Sequence, residues 1–134
     1  MSAIKRVSWV EGTSKPRASY SNLTRAGDFV FLAGQVAMDP ETGEVPKALE
    51  VQLRLIFENM RKLLESEGGS IMNIVKTTAF LADTSYHKNY DVIYRSYFKG
   101  GYPARSTVQA KLMHPDFKVE IEAIAYVPQK SSQP

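Results

Sequence analysis

The sequence predicts an α+β fold, a two-layer sandwich in which a mixed six-stranded sheet carries two helices on one face. Three observations predict it. Six short segments are rich in β-branched and aromatic residues and are bounded by turn residues. Two longer segments, residues 49–64 and 90–98, repeat apolar residues at helical spacing. Their order along the chain is strands, helix, strand, helix, strands.

Residues 4–9 form the first expected strand and residues 22–25 the second, which Ala26-Gly27-Asp28 ends. Phe29-Val30-Phe31-Leu32-Ala33 is almost wholly apolar, the pattern of a strand covered on both faces, and Gly34 is expected to break it. Asp39-Pro40-Glu41-Thr42-Gly43 is a turn, because proline fixes φ and glycine tolerates positive φ. In the first helix Leu49, Leu53, Ile56, Phe57, Met60, Leu63 and Leu64 make one stripe, and Gly68-Gly69 is the stop signal. Residues 74–81 read as a strand. Asp83, Thr84 or Ser85 supplies a cap for the second helix. Tyr90, Ile93, Tyr94, Tyr97 and Phe98 stripe that helix, and Gly100-Gly101 ends it. Residues 106–112 and 118–127 are the last two strands, separated by the turn His114-Pro115-Asp116. With both helices on one face, the other face needs cover. The run Phe29 to Leu32 is too apolar to face water there, so self-association through that face is expected.

A chain of 134 residues suits one domain, expected over residues 1–128, with residues 129–134 as a flexible polar C-terminal tail. The chain has no cysteine, which excludes disulfides, thiolate nucleophiles and cysteine-based metal sites and is compatible with a reducing cytoplasm. No secretory signal and no apolar run of membrane-spanning length is visible, so a cytoplasmic location and no membrane partner are expected. Seventeen Lys and Arg against fourteen Asp and Glu give only +3, spread along the chain. This disfavours a nucleic-acid partner.

No phosphate-cradling glycine loop and no G-x-S-x-G nucleophile elbow occurs. The two histidines, His87 and His114, sit in polar surroundings and read as exposed or turn residues, so no metal site is expected. The chemistry lies near the end of the chain. In the strand from Val119 to Val127, alternation puts Val119, Ile121, Ala123, Ala125 and Val127 on one face and Glu120, Glu122, Ile124 and Tyr126 on the other. Two glutamates on an otherwise apolar strand are either salt-bridged to neighbouring bases or kept for chemistry. Arg105, at the start of the preceding strand, is either an exposed charge or a fork for a carboxylate ligand.

Pro103-Ala104-Arg105-Ser106-x-Val108 followed by Val119-Glu120-Ile121-Glu122 resembles the signature of the Rid family, also called the YjgF family. Gly34-Gln35, Asp39-Pro40-x-Thr42-Gly43, Asn59 and Val75-Lys76-Thr77-Thr78 extend the resemblance through nearly the whole chain. It implies a chorismate-mutase-like fold and a homotrimer with ligand clefts between subunits. It further implies a 2-iminobutanoate/2-iminopropanoate deaminase-like activity, which hydrolyses reactive 2-imino or 2-enamino acids to 2-keto acids and ammonia without a cofactor. By that resemblance Arg105 grips the substrate carboxylate and Glu120 activates water. Tyr20, which pattern alone would make a buried ring, is then a substrate-binding residue. So are the Gly34 backbone, and Thr107 through its N–H. Glu122 stays structural. Ala33 replaces a serine and Ala18-Ser19 a Gly-Pro of the family pattern. Asp91 stands where an asparagine lies near the ligand, and a carboxylate there repels a simple anion and suits an amino or cationic group. Two alternatives stay open: a carboxylate-binding or regulatory trimer without turnover, and an RNA-cleaving or translation-inhibiting relative.

Overall fold

The computed structural model describes residues 4–130. Six strands form one sheet: β1 (Lys5–Val7), β2 (Leu23–Ala26), β3 (Phe29–Gln35), β4 (Ile74–Leu81), β5 (Ala104–Gln109) and β6 (Val119–Tyr126), in the order β1-β2-β3-β6-β4-β5. Every neighbouring pair is antiparallel except β4 with β5. That parallel pair needs a crossover, and helix α2 (His87–Tyr97) provides it. Helix α1 (Leu49–Glu65) connects β3 to β4 and packs beside α2 on the same sheet face, so the α+β sandwich follows the expected element order.

Periodicity explains the core. On α1, Leu53, Ile56, Phe57, Met60, Leu63 and Leu64 are fully buried. They meet the inward residues of the sheet, Leu23, Val30, Leu32, Ala79, Leu81 and the odd-numbered residues of β6. An aromatic cluster seals the two helices: the Phe57 ring stacks on Tyr97 at 4.2 Å and meets Tyr94 and Phe98 edge-on.

The stop of the first helix lies where the sequence reading put it, and several other local details differ. The helix α1 ends at Glu65, and Gly68 (φ 83°) turns the chain so that the Gly69 N–H donates to the Leu64 carbonyl. Asp83 caps a 3-10 turn, residues 84–86, that leads into α2. The strand β5 begins two residues earlier than expected and ends at Gln109. Gly34 does not break β3; the strand runs on to Gln35 and shifts register against β6 between Leu32 and Gln35. A bulge, with its extra twist, replaces the expected stop there. The Gln129 N–H is held by the Asp28 carboxylate at 2.9 Å. Residues 131–134 of the expected tail lie outside the described residues.

Two buried polar anchors hold the layers together. Arg25, 6% exposed, donates to the Glu67 carboxylate and to the carbonyls of Gly27, Glu67 and Val127. Burial alone would raise the Glu67 carboxyl, but the cations of Lys5 and Arg25 hold it below its ordinary value. Gln52, fully buried on α1, donates to the Pro46 and Asp116 carbonyls and accepts from the Lys118 N–H. It thereby fixes the loop before α1 against the loop before β6.

The other sheet face is bare in the single chain. Phe29, Phe31, Val75, Val108 and Tyr126 are each between 41% and 49% exposed. Among the described residues, no helix is long and apolar enough to cross a membrane. Because the Phe57 ring is surrounded on all sides, Phe57→Ala is expected to cost about 3–5 kcal/mol of unfolding free energy, read by urea denaturation. A loss below about 1 kcal/mol would show that the aromatic cluster does not hold the helices together.

Candidate active site

The site begins with the two-residue period of β6. Val119, Ile121, Ala123 and Ala125 face the helices and are at most 3% exposed, so Glu120 must stand on the opposite, bare face. There it is half-buried. Among the described residues it has no ion pair and accepts no hydrogen bond from a protein group. Burial first, and the charge of Glu122 second, push its carboxyl above the ordinary value of 4.5. The salt-bridged alternative for this strand is therefore not what the structure contains. Glu122 is exposed.

Gly34 explains how Glu120 can lie where it does. A Cβ at position 34 would overlap the Glu120 Oε2 and approach its Cδ to 2.9 Å. The carboxylate thus rests against bare backbone at the β3 bulge. The two residues share a cavity of about 530 Å³ with Tyr20, Ala33, Val36, Met38, Met113, His114 and Phe117, and with Lys15 and Arg17. Its outer wall is the loop of residues 8–22. Asn22 donates to the Ser14 carbonyl and Ser14 to the Met38 carbonyl, which fastens that loop to the segment after β3. Tyr20 is not a buried ring: it is 48% exposed.

Arg105 is placed otherwise. In β5 it pairs with Thr77, whose side chain is fully buried on the helix side of β4. Arg105 therefore points toward α2, on the face opposite Glu120. By register the two lie two strands and three residues apart, roughly 14 Å along the sheet. The guanidinium lies over the rings of Tyr94 (4.7 Å) and Tyr90 (5.1 Å). Its Nη1 donates to Asp91 Oδ1 at 2.9 Å, while Arg95 Nη2 holds Asp91 Oδ2 at 3.0 Å. The two arginines hold the Asp91 carboxyl below its usual range, with the hydrogen bond from Arg105 the largest cause. Burial pushes the Tyr90 and Tyr94 hydroxyls up. Thr107, also on this side, meets the Tyr90 hydroxyl at 3.2 Å, and Tyr94 hydrogen-bonds Thr77 at 2.7 Å. Asp91, Tyr94, Arg95, Tyr102, Pro103 and Arg105 line a second hollow of about 340 Å³.

The residues read from the sequence thus fall into two groups. Tyr20, Gly34 and Glu120 meet at one cavity, whereas Asp91, Arg105 and Thr107 gather at the parallel edge of the sheet. The sequence reading missed the cavity's apolar wall of Met38, Met113 and Phe117 and its cations Lys15 and Arg17. These come from loops, where no period marks them. The aromatic bed under Arg105 was visible as the helix stripe containing Tyr90 and Tyr94, but it was read only as core. No cluster of three metal-ligating side chains occurs among the described residues.

Two helices on one face of a mixed sheet, with the last strand inserted between β3 and β4, define a class of small two-layer α+β proteins. The structure of E. coli TdcF with bound serine is of this class. It matches with a TM-score of 0.85 at 32% identity, over 91% of this chain and 98% of that one. In sequence, a RutC family protein of Pyrococcus horikoshii is 38% identical over 124 residues, 92% of this chain and 98% of that protein. Reactive Intermediate Deaminase A, chloroplastic, of Arabidopsis thaliana is 39% identical over 107 residues, 79% of this chain and 57% of that protein. The chain belongs to the YjgF/Rid family, whose model, described as Endoribonuclease L-PSP, matches residues 12–127.

The Gly34–Glu120 contact is testable without knowing a substrate. The obstructing atoms belong to the end of a flexible side chain, so Gly34→Ala is expected to shift the melting midpoint by less than about 4 °C. The same substitution should swing the Glu120 carboxylate off the backbone and change its titration midpoint, measured by NMR of the side-chain carboxyl. An unchanged Glu120 titration would show that the close approach has no bearing on the carboxylate.

Proposed function

We propose that this protein is a reactive-intermediate deaminase that hydrolyses 2-imino or 2-enamino acids to 2-keto acids and ammonia. The observation that carries the reading is Glu120, a half-buried carboxylate left without a protein partner beside a cavity. Its carboxyl, raised by burial, is suited to take up and return a proton, which favours turnover over a purely regulatory role. The names of two kinds of relative support it: the Arabidopsis protein, and the E. coli protein called a putative reactive intermediate deaminase.

In the proposed reaction Arg105 holds the substrate carboxylate through its Nε–Nη2 edge, since Nη1 is engaged by Asp91. Its guanidinium is fixed between the Asp91 carboxylate and two tyrosine rings, so little ordering remains to be done on binding. A water near Glu120 attacks C2 of the protonated imine. Its oxygen bonds to carbon, its proton passes to Glu120, and the C=N π pair moves to nitrogen. Glu120 returns that proton to the nitrogen of the carbinolamine. The C–N bond then breaks, the hydroxyl becomes the carbonyl, and ammonia leaves with the released proton as ammonium. Only water and these side chains take part.

Arg105 and Glu120 of one chain stand on opposite faces of one sheet, so no single chain can present both to one small substrate. The reading therefore includes a homotrimer, in which one copy's β5 edge brings Arg105, Asp91 and Thr107 against the Tyr20, Gly34 and Glu120 cavity of the next. The bare apolar face beside Glu120 supplies surface for such an assembly. Head-to-tail contacts of this kind close into a ring of three when successive copies are related by a rotation of about 120°.

The first experiment follows keto-acid release from freshly generated 2-iminopropanoate. Arg105→Ala and Glu120→Gln are each expected to lower the acceleration by about 10²-fold or more. Mixing and reassembling the two variants should restore about a quarter of the clefts, each built from the intact half of each chain. No recovery on mixing would overturn the shared cleft, and no acceleration by the folded wild type would overturn the deaminase reading. Because Glu120 must be ionised to take the proton, the rate should fall as pH drops through a midpoint above 4.5. Glu122→Gln should move that midpoint down by removing the neighbouring charge. A rate that does not fall on acidification would take Glu120 out of the base role.

A further inference from the structure

The Asp91–Arg105 pair has a property that the proposed reaction does not by itself require. A guanidinium used only to grip an anion is best left free, yet here one of its nitrogens is tied to a carboxylate 2.9 Å away. Asp91 sits on α2 and is reached from two sides, by Arg105 across the helix–sheet gap and by Arg95 one turn along the helix. Its side chain keeps 33% of its surface open, toward the hollow it shares with Arg105 and Tyr102. Each of its oxygens accepts one hydrogen bond from an arginine, and a carboxylate oxygen has room for a second. Beside it, the Nε and Nη2 of Arg105 have no hydrogen-bond partner among the described residues. The hollow therefore offers donors and an acceptor side by side, fixed at one spacing by the ion pair itself.

We infer that Asp91 and Arg105 together read a zwitterion, a ligand whose carboxylate lies next to a protonated nitrogen. This deepens the proposed function and rests on it for the location of the ligand. A 2-iminium acid carries both groups on adjacent carbons, and so does an α-amino acid; a 2-keto acid carries the carboxylate alone. With the keto acid, Asp91 faces an oxygen that cannot donate, and like charges crowd the same hollow. With the iminium acid, Asp91 takes an N–H and the carboxylate keeps Arg105. The pair thus admits substrate and releases product, because hydrolysis removes the cationic nitrogen that Asp91 holds.

The test uses two non-reacting ligands of one carbon skeleton, alanine and pyruvate, titrated calorimetrically into the intact protein. Wild type is expected to bind alanine at least about tenfold tighter than pyruvate, the range of a hydrogen bond to a charged group. Asp91→Asn keeps the shape and lies on a partly exposed helix face. It should bring the two affinities within about threefold of each other, chiefly by weakening alanine. Failure of wild type to bind alanine, a wild-type preference for pyruvate, or an unchanged ratio in Asp91→Asn would each overturn the inference. The outcome separates from that of the deaminase reading. Catalysis with no Asp91-dependent preference leaves the deaminase and removes the zwitterion reader. The preference without catalysis leaves the reader and removes the deaminase.

Discussion

The alternation of β6 is the constraint from which both the core and the site follow. This strand pairs with β3 on one side and β4 on the other, so it lies in the middle of the sheet. Its odd-numbered residues fill the layer under α1 and α2, and its even-numbered residues are turned to the bare face. A slip of one residue would drive Glu120 and Glu122 under the helices and expose Val119 through Val127. The apolar core therefore also fixes the face on which the carboxylate stands, and Glu120 cannot change face without disturbing the packing beneath it. The bulge at Gly34 completes the arrangement by letting that carboxylate lie down against backbone.

The arginine side of the site obeys a different logic. As an edge strand, β5 has a free flank, and its inward residues reach across to α2. Arg105 sits in a small polar network of Asp91, Arg95, Tyr90, Tyr94, Thr77 and Thr107, built where the helix layer meets the sheet rim. Each half of the site is rigid for its own reason, one by core packing and the other by this network. Neither half needs the other in order to form.

Much of the fold was legible because the decisive signals are periodic. The stripe from Leu49 to Leu64 specified a helix and its buried face, and the run from Ile74 to Leu81 specified a strand to the residue. Glu120 was legible for the same reason, as a carboxylate on the even face of an otherwise apolar strand. The face taken by Arg105 was not. The sequence Ala104-Arg105-Ser106-Thr107 has no apolar alternation, since an edge strand is half-exposed on both sides. Gly34 was misread because an isolated glycine signals either a stop or a bulge, and only its neighbour on β6 decides which. The tie between Asp91 and Arg105 joins two elements through tertiary contact, so no local pattern announces it.

The place of β6 in the sheet also governs when the molecule can fold. On the ribosome, β1, β2 and β3 emerge early and can zip into a meander; β4, α2 and β5 follow and can form their own parallel unit. Among the described residues, no hydrogen bond joins these two halves until residues 119–126 arrive between them. A nascent chain stalled before that point holds two half-sheets, each with an open edge and an uncovered apolar face. Such a species invites chaperone binding. Closure is then a late, long-range event that couples residue 30 to residue 125, so folding should be slow for a protein of this size.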